Sequence, residues 1–247
     1  MISWVTMTEI DQTRRRIICL ANSRKPQGRC IAGKLYVQGK FGRWFRPISA
    51  REGEELSEIE RSIDRNSEPA LLDILEFSII QAKRSHHQSE NWLINPRVRM
   101  QKVGAISPTD LMITVDKPIN LWIVGSSSKR GKNDFVPENR IGEVSDSLFL
   151  VNPTFFSIHV ITDEFMGRVS RQVRGEFTHY GAEYNLKITD PVIEGKYLAK
   201  SDGIFKIEDV LLTISLTEKI FRPRYNHSTG FYKLIAGVIE LRERGSK

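Results

Sequence analysis

Apolar residues fall along this chain in short runs, many of them β-branched or aromatic, separated by polar or glycine-containing breaks. That pattern predicts strands, because a half-buried strand needs an apolar side chain only at every second position. Arg16–Ala21 is the first compact run. Ile31–Val37 and Trp44–Ile48 follow, parted by Gly39 and Gly42, which suit turns. Leu71–Gln81 reads as a longer strand, partly apolar on both faces. Leu111–Val115 and Ile119–Val124 read as a hairpin around Asp116-Lys117-Pro118. The second half continues with Leu148–Val151, Phe155–Thr162, Arg168–Thr178, Ala182–Thr189, Val210–Leu216 and Tyr232–Leu241. There His179-Tyr180-Gly181 suits a hairpin turn and Asp190-Pro191 terminates a strand.

Helical periodicity is confined to one place. Leu56, Ile59 and Ile63 are spaced by helical steps, and Ser57 with Glu60 has capping-box spacing, so one short acidic helix is predicted over Leu56–Asp64. Pro137–Ile141 suits a single further turn. Strands at short intervals with one helix point to an all-β chain of barrels or sandwiches. The Gly125–Asp134 stretch is the most polar and Gly/Ser-rich and lies near the midpoint, which suggests a first domain over 13–125, a basic linker over 126–144 and a second domain over 145–243. No residue-level repeat relates the halves.

Several segments together resemble the bacterial proteins called dual OB domain-containing. They are Cys19-Leu-Ala-Asn-Ser-Arg-Lys-Pro-Gln-Gly-Arg-Cys-Ile-Ala-Gly33, Trp44-Phe-Arg-Pro-Ile-Ser-Ala-Arg51, Gln88-Ser-Glu-Asn91, Leu121-Trp-Ile-Val-Gly125 with Gly131-Lys-Asn-Asp134, and Tyr232-Lys-Leu-Ile-Ala236. The resemblance spans residues 15 to 240. It implies two tandem OB-like five-stranded β-barrels, carries no known reaction, and suggests an accessory role in bacterial defence or mobile-element machinery.

Composition narrows the class. The chain has 247 residues, 40% hydrophobic and 27% charged, which excludes intrinsic disorder. Its apolar runs fall far short of the ~20 residues a bilayer helix needs. Met1–Arg16 has no apolar stretch of signal-peptide length, and Cys19 and Cys30 are too few for a disulfide framework, so a reduced, cytoplasmic setting is expected.

Charge changes the picture most. The net charge is +7, and between Gln12 and Arg51 there is no acidic residue but eleven basic ones. From Glu52 to Glu76 the sign reverses, with nine acidic residues. A one-sign stretch interleaved with aromatics suits nucleic acid, since OB folds bind oligonucleotides on their second and third strands and the flanking loops. Arg24, Lys25, Arg29, Lys34, Arg43 and Arg46 are the expected phosphate contacts, with Trp44 or Tyr36 as stacking platforms. Arg168, Arg171 and Arg174 supply a second basic stretch, and Arg222–His227 a basic aromatic loop. Strand alternation puts Trp44 and Phe45 on opposite faces, so one fills the barrel and the other faces a ligand. The alternation alone leaves open which.

Other constellations offer less. His86 and His87 point to opposite faces of a strand, an awkward geometry for one metal. Gly125–Asn133 mimics a phosphate loop, but its spacing fails and Pro137 discourages the required helix. No catalytic motif, metal set or cofactor motif is recognisable, so enzymatic activity stays open and is the less favoured reading. Single-stranded or structured nucleic acid is the expected partner. A sensor or enzyme for a nucleotide-like small molecule is the alternative, and an adaptor docking a partner enzyme is a further one.

Overall fold

A computed structural model of the chain describes residues 13–64, 67–165, 168–221 and 229–241. The first barrel is built from β1 (Arg14–Lys25), β2 (Gly28–Val37), β3 (Lys40–Ile48), the helical turn α1 (Glu58–Arg61), β4 (Asp73–Ala82) and β5 (Asn91–Ile94), with β6 (Gln101–Ala105) added outside β4. β1 is long enough to serve two neighbours. Its Ile17–Lys25 part pairs with β2 and its Arg14–Ile18 part with β4, while β3 and β5 run parallel. The strands therefore close in the order β1-β2-β3-β5-β4-β1. The helix between β3 and β4 is capped as its sequence predicts, Ser57 and Glu60 each bonding the other's backbone N–H.

The second barrel has the same order in different dress. Its elements are β7 (Phe135–Pro137), β8 (Leu148–Val151), β9 (Phe155–Phe165), β10 (Arg168–His179), β11 (Ala182–Ile188), α2 (Pro191–Leu198), β12 (Gly203–Lys206), β13 (Val210–Leu216), β14 (Ile220–Phe221) and β15 (Thr229–Glu240). β11 and β15 run parallel, β13 pairs antiparallel with β15, and α2 lies between β11 and β13 in the chain. β8 pairs with β13 and β9 with β10. Only Asn152-Pro153-Thr154 separates β8 from β9, so the two together play the part that unbroken β1 plays in the first barrel. Pro153 cannot donate to a ladder, which is reason enough for the break. The fold is thus all-β with minor helix, two tandem OB-like barrels of five strands each.

Each barrel has its own core. Ile17, Cys19, Ile31, Phe45, Leu75 and Phe77 fill the first, and Phe156, Ile158, Val173, Phe177, Tyr184 and Leu212 lie in the second. In the middle of β1 the side chains on the other face do not meet water either. Ile18 and Leu20 pack with Leu150, Leu211 and Ile239 of the second barrel. Hydrogen bonds cross the same seam: Thr213 Oγ1 donates to Leu20 O at 2.6 Å and Arg24 N to Thr189 O at 2.8 Å.

Three sequence expectations are corrected. Leu111–Val115 and Ile119–Val124 do not form a hairpin. Pro108–Thr114 is a 3-10 helix, with Pro108 in its first turn and Ser107 N donating to Asp110, and no strand forms over residues 119–124. Leu121 instead enters the core of the second barrel, and Ile123 packs with Val136, Leu216 and Phe231. Secondly, Asp190-Pro191 does end a strand but also starts α2, because Asp190 caps Val192 N and Ile193 N and Pro191 fills a first-turn position where no amide donor is needed. Thirdly, the acidic helix is shorter than its apolar spacing suggests, and Ile59 is exposed rather than packed.

Lys233 is fully buried on β15, its Nζ donating to Ile123 O, and burial pushes its ammonium down to about 7 against the opposing pull of Asp134. Unfolded, the same lysine titrates near its ordinary 10.5. Between these values the unfolded chain holds a proton that the folded one lacks, so stability rises with pH across that window and is level below it. Relative to Lys233→Met, the wild type should gain about 1.4 kcal/mol of unfolding free energy per pH unit above about pH 7. Parallel denaturation curves for the two proteins at all pH values would refute this.

The seam makes a second prediction. A Cβ on Gly237 would lie 2.3 Å from Leu20 O, whereas one on Gly142 would meet nothing within 4 Å. Gly237→Ala should therefore cost on the order of 2 kcal/mol in urea unfolding, and Gly142→Ala should cost far less.

Candidate nucleic-acid interface

The outer face of β2 and β3 is set by alternation around Phe45. Phe45 is fully buried in the first core, so its neighbours Trp44 and Arg46 and the facing Lys34 point out of the barrel. This resolves the register left open by the sequence: Phe45 is the core ring. Trp44, though outside the barrel, is only half-exposed, because the segment after the 3-10 helix lies over it. Asp116 there takes Trp44 Nε1 at 3.0 Å, Lys34 Nζ at 2.6 Å and Leu150 N at 2.8 Å. Lys34 also donates to Thr114 O and sits over the Trp44 ring, 5.4 Å from its centroid.

Arg46 is 3% exposed. Its guanidinium bonds Glu90 at 2.9 Å, Ser147 Oγ at 2.7 Å and Asn91 Oδ1 at 3.2 Å, tying the β4–β5 loop to the entry of the second barrel. Flanking the β1–β2 turn, Arg24 pairs with Glu194 of α2 at 3.0 Å and Lys25 with Glu218 at 2.6 Å, both across the seam, while Arg29 lies 3.9 Å from Glu68. Tyr36 packs on Phe41, ring centroids 5.3 Å apart. Arg43 is exposed and sits over the Trp92 ring at 5.7 Å.

A cleft of about 350 Å³ opens on this face between Lys34, Arg43, Trp44, Arg84, Ser89 and Asp146. Arg84 and Ser89 come from the β4–β5 loop, the second of the two loops that border an OB ligand face. Sequence reasoning passed over Arg84, although Lys83-Arg84 is a basic pair following a strand. Among the described residues, neither Arg43 nor Arg84 has an ion-pair partner.

The second barrel treats its equivalent face differently. Arg174 on β10 is buried, bonds Asn185 Oδ1 at 2.6 Å and meets Asp134 at 3.2 Å. The Gly125–Asp134 segment lies over β11: Lys132 and Asn185 exchange backbone bonds and Asn133 Nδ2 donates to Glu183 O. Within that segment Ser128 gives both its N–H and its hydroxyl to Asp134, each at 2.6 Å. The loop that mimics a phosphate cradle thus holds a carboxylate of its own chain. Arg171 donates to Asp202 and to the carbonyls of Leu198 and Lys200. Phe177 and Tyr184 are stacked core rings, 5.2 Å apart. The side chain of Arg168 and the loop Arg222–His227 lie outside the described residues.

His87 is buried against the second barrel, Nε2 bonding Thr217 O at 3.0 Å and the ring edge-on to Phe231, and burial holds its imidazole below the usual histidine range. Among the described residues no group of three or more His, Cys, Asp and Glu could hold a metal ion. Ser157, His159 and Glu176 adjoin, but one nitrogen, Nε2, faces both partners, and a relay needs both ring nitrogens. No helix of the described residues is long and apolar enough to cross a membrane.

Two barrels closed in this strand order, each with its helix between third and fourth strands, define a tandem OB-fold protein. A family model of the dual OB-containing domain matches residues 15–238, and the chain belongs to that family. No curated protein and no solved structure matches it.

Truncating Phe45 to alanine should cost about 3–5 kcal/mol of stability through transfer and cavity terms. Trp44→Phe, which keeps a ring but loses the bond to Asp116, should cost about 1–2 kcal/mol. Urea unfolding of both variants checks the order, and a larger loss for Trp44→Phe would show the register to be off by one.

Proposed function

We propose that the protein binds single-stranded nucleic acid across the β2–β3 face of the first barrel, with phosphates at Arg43 and Arg84 and a base against the open edge of Trp44. The observation that carries this reading is the convergence, in one cleft beside the β4–β5 loop, of an aromatic ring with two exposed guanidinium groups that form no ion pair among the described residues. The net charge of +7 favours a polyanion in the same way. Lys34, Arg46 and Arg174 serve in this reading as buried scaffold, holding the face rather than touching the ligand. Arg24, Lys25 and Arg29 keep their own carboxylate partners outside this cleft, and Tyr36 packs against Phe41. Such binding is sequence-tolerant, because stacking and phosphate contacts read no base edges. Two free thiols, one buried and one half-buried, fit a reducing cytoplasmic setting.

Fluorescence anisotropy with a labelled oligothymidine tests the reading. Arg43→Glu/Arg84→Glu should weaken binding at least tenfold and flatten the log–log salt dependence by about 1.4, for two single-strand phosphate contacts. Melting should barely move, since both side chains are exposed. Wild-type affinity in the folded double variant would sink the proposal.

A further inference from the structure

A cleft larger than that of the β2–β3 face lies elsewhere. It lies between the barrels, has a volume of about 590 Å³, and is lined by the β1–β2 loop, the end of β3 and its following loop, and the β13–β14 region. That volume suits a drug-sized organic molecule. Part of its wall is apolar, with Ala21 and Ala32 from the first barrel beside Leu148 and Ala236 from the second.

One polar group stands out in that wall. Gln88 is 6% exposed, and its Oε1 accepts from Asn91 Nδ2 at 3.1 Å. Asn91 is fixed in turn by Arg46 Nη1 at 3.2 Å. The chain Arg46–Asn91–Gln88 therefore orients the Gln88 amide so that its NH₂ group is the free end, and among the described residues that group has no acceptor. An amide donor in a cleft wall that has no protein acceptor can bond an acceptor atom of a ligand. The mouth has the opposite character. Glu52, Glu54, Glu55 and Glu218 stand there against Arg24, Lys25 and Lys219. Glu54, Glu218, Arg24 and Lys25 are in ion pairs, whereas Glu52 is exposed and has no partner among the described residues.

We infer that this inter-barrel cleft is a second ligand site, for an uncharged nucleoside, its ring on the alanine wall with an acceptor atom at Gln88 and its sugar hydroxyls donating to Glu52. An apolar wall suits a flat heterocycle, a free amide donor suits a ring carbonyl or nitrogen, and a carboxylate accepts hydroxyl protons. The four carboxylates and four cations of the lining leave it without net positive charge, so the site differs in ligand class from the basic face at Arg43 and Arg84.

Cys30 supplies the reporter, because it lies half-buried on the cleft wall while Cys19 is fully buried. The full chain is alkylated with N-ethylmaleimide and Cys30 modification followed by peptide mass spectrometry, with cytidine, uridine, adenosine or guanosine present at millimolar concentration. At least one nucleoside should slow the reaction fivefold or more and raise the melting temperature, and its 5′-triphosphate should protect at least tenfold less well. Leu234→Trp, which intrudes from the half-buried wall, and Gln88→Met, which removes the donor, should each abolish protection while leaving oligothymidine binding intact. Should either variant fail to fold, the other decides. The inference is overturned if no nucleoside protects Cys30, if protection persists in a folded variant, or if the triphosphate protects as well as the nucleoside. None of these outcomes touches the Arg43/Arg84 test, so the two sites stand or fall separately.

Discussion

Everything in this molecule is arranged around a strand that must be dry on both faces. Ile17 and Cys19 of β1 fill the first barrel, while Ile18 and Leu20, one residue out of phase, fill the seam with Leu150, Leu211 and Ile239. Removing Ile18 and Leu20 from water is worth about 1.5–3 kcal/mol each. That gain is available only if the second barrel lies against β1. The seam is also polar where it must be, since the Thr213 hydroxyl and the Arg24 amide cross it. It is close enough at Gly237 that no side chain fits. A continuous apolar run is the expected signature of a strand buried on both faces, and here the second face is an inter-barrel contact rather than a helix layer.

The seam in turn decides what the charges do. Arg46 and Glu90 are each about 4% exposed at the side chain, and an unpaired charge there would carry a heavy desolvation cost. Ser147 and Asn91 complete the guanidinium's partners on the first side of the interface and the entry to the second. Lys34 with Asp116 and Arg174 with Asp134 repeat the arrangement, each a cation on the outward face of a second strand met by a carboxylate from an irregular segment. Of the expected basic contacts, several are therefore internal neutralisers. A count of lysines and arginines could not reveal this, because their carboxylate partners lie 44, 82 and 40 positions away in the chain.

What the sequence made legible follows from the range of the interactions involved. Alternation located the strands, Ser57 and Glu60 located α1, and His179-Tyr180-Gly181 located a turn in which Tyr180 and Gly181 take positive φ. Each is decided within a few residues. α2 was legible too, in Asp190-Pro191, but was read only as a strand end. The false hairpin over 111–124 shows the limit. Leu111, Leu121 and Ile123 are buried as strand residues would be, yet they reach three separate clusters, so their hydrophobicity reflects distant partners rather than a local ladder. At the candidate face, Lys34, Arg43 and Trp44 were found from sequence because OB strands two and three could be placed. Arg84 was not, because its loop matters only once β4 and β5 are seen to bring it beside Arg43.

The two barrels share a topology but not an exposure, and this asymmetry bears on where a polyanion can bind. In the second barrel the outward face of β10 and β11 is covered by residues 125–134, whose Asp134 occupies the place an anion would take against Arg174. In the first, Asp116 takes that place against Lys34 but covers only part of the face. Arg43 and Arg84 line the same cleft as Asp116 but form no ion pair with it, and both carry exposed charge. A ligand competing for Lys34 would have to displace a carboxylate that also holds Trp44 and Leu150 N. Competing for Arg174 would strip Asp134 from both donors of Ser128 as well. On the proposed reading, the cheaper route for a phosphate chain is to pass beside Asp116 along Arg43 and Arg84, leaving both intramolecular carboxylates seated. The same geometry leaves the outward face of the first barrel partly open and that of the second covered by residues 125–134.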